Sequence, residues 1–354
     1  MVWRRDGDAD PVLKAVLPKL RCPVCHTGSL DAIAFAETAH RILNGVLVCE
    51  ECRAPHVVDD GLLELVPSSL IDTAAAARFA DRFARELAAA GITLGGPPSD
   101  ADVAAQLLQR QHFDWFAENE AQTYTAYQAS PFWVAEDEQT FSGWRSRIAP
   151  GAWVLDVGCA NGRSAWPLLS RAGVIAGCDI SKKLVRQAMD RAVADGVADR
   201  TCFFVADCDR LPIADGSFPC VLTYGVLHHL PDPGRACRDI QRILEPGGVH
   251  FGSENNRTIF RRIFDAMMRW HPLWIEEAGT EPLISERMLR DWLRGLPVRI
   301  TCTTSVFIPP HAMNLAGHRA AGALLAASDG IARAVPGLRS HGGLIVFDAR
   351  KLAA

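Results

Sequence analysis

The stretch Val154-Leu155-Asp156-Val157-Gly158-Cys159-Ala160-Asn161-Gly162 constrains this chain more than any other. A β-branched, apolar run ends in an acid and gives way to small residues that carry the backbone through a tight turn. The segment from Arg163 to Ser170 reads as a helix. Strand, glycine turn and helix in that order make a nucleotide-binding loop, because a backbone approaches a ligand closely only where side chains are absent. Many turns carry such glycines, so the assignment depends on what comes next.

What comes next is alternation. Gly173 to Ile180 reads as a second buried strand ending in Asp179. An acid about 20 residues past a glycine loop can bind both hydroxyls of a ribose. A helix from Ser181, its N-cap, to Gly196 precedes a third strand, Cys202 to Ala206, which runs into Asp207-Cys208. A fourth strand, Phe218 to Tyr224, leads into Gly225-Val226-Leu227-His228-His229-Leu230-Pro231-Asp232-Pro233. A helix to about Leu244, the turn Glu245-Pro246-Gly247-Gly248 and a fifth strand, Val249 to Ser253, follow. This alternation predicts an α/β fold with a doubly wound, mostly parallel sheet and ligands at the carboxyl ends of its strands. The loop lacks the G-x-G-x-x-G spacing that a pyrophosphate needs, which argues against a nicotinamide cofactor.

In order and spacing this series resembles the class I S-adenosylmethionine-dependent methyltransferases over about residues 141–253. The pieces that carry the resemblance are Leu155 to Gly162, Asp179, Ala206-Asp207, Leu227 to Asp232, and Leu244 to Gly248. The resemblance implies a seven-stranded Rossmann-like sheet with S-adenosyl-L-methionine as cofactor. It implies that Asp156 and Gly158 shape the floor under the methionine part, that Asp179 takes the ribose, and that Asp207 accepts from the adenine amino group beside the Cys208 backbone. Cys159, Ala160, Gly162, Ile180 and Tyr224 complete the implied cofactor site. Ala160 stands where the family often has glycine.

An N-terminal segment carries a different chemistry. Cys22-Pro23-Val24-Cys25 and Cys49-Glu50-Glu51-Cys52 are two C-x2-C knuckles separated by 23 residues. Each directs two thiolates at one point, and together they supply the four ligands of a tetrahedral structural Zn²⁺, the alternatives being disulfide pairs or a redox Cys-x-x-Cys. The long interval fits a hairpin with its tip around Thr38 to Asn44, and His26 and His56 stand in reserve. Pro55 to Pro67 reads as strand, turn and strand. This ribbon resembles the small zinc domains that accompany certain methyltransferases, some of which hold rRNA. Residues 1–72 carry seven Lys/Arg against eleven Asp/Glu, a poor match for a phosphate-binding surface, so a structural or docking role is preferred.

Methyl transfer to a hydroxyl needs a base, and His228 and His229 stand just past the fourth strand, with Glu254 closing the fifth. The pair resembles that of natural-product sugar O-methyltransferases, and His229 is the favoured base. The competing reading has one ring merely packing on the cofactor. Between ribbon and core, Thr73 to Ala90 and about Asp100 to Asn119 read as helices. His112, Phe113, Trp115, Phe116, Tyr124, Tyr127, Phe132 and Trp133 there are either a lid or ordinary packing. Ile259, Phe260, Ile263, Phe264, Met267 and Met268 share one face of a helix, either packed on the core or capping a lipid-linked acceptor, its arginines touching a membrane surface. A sixth strand, Val298 to Ile308, precedes His311, a second insertion near 311–340, and a last antiparallel edge strand, Gly343 to Arg350.

Three segments result: a zinc ribbon over 1–70, a helical connector and lid over 71–140, and a methyltransferase domain over 141–354 with caps near 255–295 and 311–340. Eleven cysteines, seven of them in the core, read as reduced thiols in a cytoplasmic protein. The charged N-terminus suggests no signal peptide, and no apolar run is long enough to span a membrane. A net charge of −4 creates no general attraction for nucleic acid, although a local patch is compatible with it. The expected acceptor is a small or lipid-linked metabolite methylated on oxygen. The alternatives are an rRNA or tRNA methyltransferase using the ribbon as clamp, and a non-catalytic partner that binds cofactor and regulates another enzyme.

Overall fold

The computed structural model describes residues 12–94, 103–119, 121–260, 266–267 and 282–353. Its strands are β1 (Leu30–Glu37), β2 (Ile42–Cys49), β3 (Pro55–Asp59), β4 (Leu62–Leu65), β5 (Trp153–Val157), β6 (Val174–Asp179), β7 (Thr201–Ala206), β8 (Phe218–Tyr224), β9 (Leu244–Asn255), β10 (Val298–Ser305) and β11 (Leu344–Lys351). They join in one sheet in the order β1-β2-β3-β4-β7-β6-β5-β8-β9-β11-β10. Strands β5 to β9 run parallel, as βαβ alternation requires. Their apolar runs are buried, with Leu155, Val221 and Phe251 fully so.

The helices used below are α1 (Ala104–Asn119), α2 (Pro131–Arg145), α3 (Lys182–Ala194), α4 (Pro233–Ile243), α5 (Glu286–Trp292), α6 (Pro310–Ala316) and α7 (His318–Ala334). Ser181 caps α3 as its residue type suggests, accepting from the Leu184 amide at 3.2 Å.

Four expectations need correction. The helix expected over Arg163 to Ser170 is a series of turns with a 3₁₀ segment only at Trp166–Leu168. Pro167 lacks an N–H, and the run is too short to recover the cost of a helix nucleus. The last strand, β11, is antiparallel but lies between β9 and β10 rather than at the edge. Its Leu344, Ile345, Phe347 and Ala349 are buried, whereas β10 alternates with exposed Arg299, Thr301 and Thr303, a pattern suited to an edge. The sixth strand stops at Ser305 because Val306 adopts φ +68°, outside β geometry. The helix over Thr73 to Ala90 is two, Thr73–Arg82 and Ala84–Ala90, hinged at Phe83.

The ribbon is not a detached layer. Strands β1 to β4 form an antiparallel meander, and β4 then pairs parallel with β7, Leu63 opposite Phe204 and Leu65 opposite Ala206. The β7 edge of the core sheet is thereby covered. Glu64 on β4 accepts from Arg110 of α1 at 2.9 Å and Lys182 of α3 at 3.0 Å, so the ribbon also anchors the connector.

Helices α6 and α7 pack on α2, where Asn314 accepts from the Phe132 amide at 2.9 Å. Asp329 of α7 gathers Gln139, Ser305, Arg333 and the strained Val306 amide. Of the helix expected over 259–268, Ile259 and Phe260 are exposed turn residues; 261–265 and 268 lie outside the described residues, as do Trp270, Trp274 and their neighbours. No helix among the described residues is long and apolar enough to cross a membrane.

Candidate active site

A cavity of about 500 Å³ opens at the carboxyl ends of β5, β6, β7, β8 and β9. That size suits a small-molecule ligand. Of the residues singled out in the sequence, Gly158, Ala160, Asp179, Ile180, Asp207, Cys208, Tyr224, His228, His229 and Glu254 line it. Asp156, Cys159 and Gly162 do not. Asp156 lies beneath the loop, fully buried, where its Oδ2 accepts from Ser164 at 2.5 Å. Cys159 is buried among apolar core residues, and Gly162 turns against Trp166. These three support the loop from behind.

The loop needs its glycines. Gly158 has φ +72°, and a Cβ there would fall 2.2 Å from Val226. Ala160 also sits in the left-handed region, at φ +45°, which costs a side-chain-bearing residue about 1 kcal/mol. Its amide donates to Asp179 Oδ2 at 2.9 Å, while the Ser181 amide donates to Oδ1 at 2.9 Å. Each oxygen of Asp179 thus keeps a lone pair for a further donor.

Acids in and under this wall are drawn toward their neutral forms. Burial pushes Asp156 up to about 7 and Asp207 up to about 6, and raises Asp179. Gln106 of α1 donates to Asp207 at 3.4 Å. Apolar Phe113, Phe116 and Leu184 complete this end. Buried acids facing a nucleoside-sized, apolar-walled space suit a ligand that brings its own hydroxyl and amine donors.

Also on the cavity wall, His228 Nδ1 lies 2.6 Å from Glu254 Oε2. The remaining oxygen, Oε1, accepts from the Val226 and Leu227 amides at 3.1 and 2.7 Å. Glu254 is 1 % exposed and held in place by backbone. The carboxylate only accepts, so Nδ1 carries the hydrogen and Nε2 is left as the basic nitrogen. His229, favoured from sequence, also lines the cavity and packs edge-on against Phe113, ring centroids 5.2 Å apart. His311 does not line the cavity.

Beside the histidines lies a polar cluster the sequence did not advertise. Arg163 makes a two-bond fork to Asp137, at 2.7 and 2.9 Å, and its guanidinium lies 4.6 Å from the Trp133 ring centroid. The Tyr224 hydroxyl bonds Asp137 at 2.6 Å and also Glu136. One hydroxyl proton serves one acceptor at a time, and burial pushes the Glu136 carboxyl up to about 7, drawing it toward its neutral form. Adjacency to Gly162 was the available signal for Arg163. For Glu136 and Asp137, on a connector helix far upstream, there was none.

The lid candidates divide. His112, Phe113, Phe116, Tyr127 and Trp133 line the cavity, Trp115 faces out, and Phe132 packs with Met313 and Leu325. The side chain of Tyr124 lies outside the described residues. Of the cap regions near 255–295 and 311–340, Asn255 lines the cavity and no other described residue does; α5 packs on α4, and α6 and α7 pack on α2.

The four ribbon thiols converge. The Sγ atoms of Cys22, Cys25, Cys49 and Cys52 all lie within 4.8 Å of one another. Cys22–Cys52 and Cys25–Cys49 are each 3.6 Å apart, against the roughly 3.8 Å edge of a tetrahedron with Zn–S of about 2.3 Å. Amides of Val24, Gly28 and Cys52 point at sulfurs at 3.4 Å, and a Cβ on Gly28 would sit 2.3 Å from Cys49 Sγ. No disulfide is formed by any of the cysteines. The donor set and its spacing fit zinc.

Comparison with known proteins agrees with the geometry. Residues 155–252 match the family model described as a methyltransferase domain. Methyltransferase GfsG of Streptomyces halstedii is 35 % identical over 105 residues, 29 % of this chain and 38 % of that protein. The 27-O-demethylrifamycin SV methyltransferase of Amycolatopsis mediterranei is 41 % identical over 102 residues, 28 % of this chain and 38 % of the relative. Less than half the length of either relative is therefore spanned. The crystal structure of the [4+2]-cyclase SpnF shares the fold at 22 % identity and TM-score 0.50, over 71 % of this chain and 97 % of that one. Residues 155–252 of the chain thus carry a methyltransferase domain.

Proposed function

We propose that this protein transfers a methyl group from S-adenosyl-L-methionine to a hydroxyl of a small, largely apolar acceptor, with His228 as general base. The observation that carries the reading is the His228–Glu254 pair on the cavity wall. Bound cofactor supplies an electrophilic methyl on a sulfonium. The chain would position it: Asp179 would take the ribose hydroxyls and Asp207 the adenine amine, while Gly158 keeps the loop open beneath. His228 Nε2 takes the acceptor proton, and Glu254 stabilises the imidazolium that forms. His229, packed on Phe113, forms wall. The names of two relatives, a rifamycin methyltransferase and a ubiquinone-biosynthesis O-methyltransferase of Caulobacter vibrioides (29 % identical over 158 residues, 42 % of this chain and 60 % of that protein), favour a natural-product or lipid-like hydroxyl.

In the same reading Cys22, Cys25, Cys49 and Cys52 hold a structural zinc, and the protein works in the cytoplasm. The test is methyl transfer from labelled S-adenosylmethionine into a cell extract split into RNA, protein and small-molecule or lipid fractions. Label is expected in the last fraction, and label in RNA overturns the reading. With an acceptor in hand, His228→Gln is expected to lower kcat by about 10²–10⁴-fold while S-adenosylhomocysteine still binds in calorimetry. Unchanged kcat in that variant would remove His228 as base.

A further inference from the structure

We infer that Arg163 is the carboxylate-binding residue for the amino-acid end of the cofactor; this rests on the cofactor reading above. In a strand–glycine turn–helix unit, the amides at the helix N-terminus commonly receive the ligand's anionic group. Here that helix is missing: after Gly162 the chain makes turns and a single three-residue 3₁₀ segment. There is no helix N-terminus at this point to receive the group, and a side-chain cation can take its place. Arg163 is placed for this, one residue past the loop, on the cavity wall.

Its surroundings set it up to present one face. Nε and Nη2 are taken by Asp137, and the Trp133 and Tyr224 rings lie over the guanidinium at 4.6 and 5.3 Å. Nη1 makes no hydrogen bond among the described residues. Asp137 is itself fixed by Tyr224, so the fork cannot swing away. A guanidinium held by two of its nitrogens and shielded by rings offers its third to a carboxylate with little entropy left to lose. Asp137 is the acid paired with that charge, while burial draws neighbouring Glu136 toward its neutral form.

The test is calorimetric and compares S-adenosylhomocysteine with its carboxamide and with 5′-methylthioadenosine, which lacks the amino-acid end. Wild-type protein is expected to bind S-adenosylhomocysteine at least tenfold more tightly than the carboxamide. Arg163→Gln is expected to lose about 10- to 100-fold in S-adenosylhomocysteine affinity, with less than about threefold change for 5′-methylthioadenosine. Arg163→Lys, which keeps a cation, should recover part of the difference. Asp137→Asn keeps the arginine and should preserve discrimination against the carboxamide, so the inference stays testable if the arginine variants fold poorly. Equal losses for both ligands in Arg163→Gln, or wild-type protein indifferent to the carboxamide, overturn the inference. Failure of wild-type protein to bind either S-adenosylhomocysteine or 5′-methylthioadenosine overturns the cofactor reading itself, a distinguishable result.

Discussion

At the scale of single residues, the site is governed by burial of acids. Asp156 is fully buried with one hydrogen bond, and its proton is held up to about pH 7, far above an unfolded aspartate near 3.9. Between those values the folded state binds more protons than the unfolded one, so this group's contribution to stability falls as pH rises. Glu136 and Asp207, also raised, act with the same sign. His56 and His250, pushed by burial down to about 4 and about 3, act oppositely below the ordinary histidine range. Asp156→Asn isolates the aspartate: urea unfolding at pH 5 and 7.5 should show a smaller loss of stability with rising pH than wild type. Ala160 supplies a second residue-scale expectation. With φ +45° it pays a left-handed strain that glycine avoids, so Ala160→Gly should stabilise the fold by about 1 kcal/mol in the same assay.

Between elements, Glu64 is the joint. It sits on ribbon strand β4 and bonds Arg110 of α1 and Lys182 at the start of α3, with side chains of Arg110 and Glu64 about nine-tenths buried. Removing Glu64 would leave the buried Arg110 with only the longer contact to Asp114, at 3.9 Å, for its charge. Glu64→Ala should therefore cost about 3 kcal/mol in urea unfolding. Cofactor affinity should fall with it, because α1 carries Gln106, Phe113 and Phe116 onto the cavity wall. Full affinity in this variant would show that α1 holds its place without the ribbon.

For the whole molecule, the consequence is that ribbon and core share one sheet. Strand β4 supplies the hydrogen bonds that β7 would otherwise show to solvent, and β7 runs directly into Asp207. On the zinc reading proposed above, treatment with a chelator should loosen β1 to β4 and uncover that edge. Amide hydrogen exchange is the measurement: protection over residues 201–206 should drop together with that over 42–65. Loss confined to the ribbon would mean that the core sheet does not depend on it.

Local pattern alone determined much of this protein. Runs such as Val154–Val157 and Phe218–Tyr224 bury on both faces whatever surrounds them, so the parallel sheet, the glycine turn and Asp179 and Asp207 at strand ends were legible from residue order. So were the two cysteine knuckles, because each C-x2-C turn is a local geometry. What tertiary structure decided depends on residues distant in the chain. The pairing of His228 with Glu254, 26 residues on, depends on a reach across β8 and β9 that no spacing rule specifies. The pairing of β4 with β7 joins segments more than a hundred residues apart, and the Arg163–Asp137 fork joins a loop to a helix. The missing helix after Gly162 and the inward position of β11 were competitions, one between a short run and its proline, the other between two strands for a buried place. Such outcomes are set by packing, and packing exists only once the chain has folded.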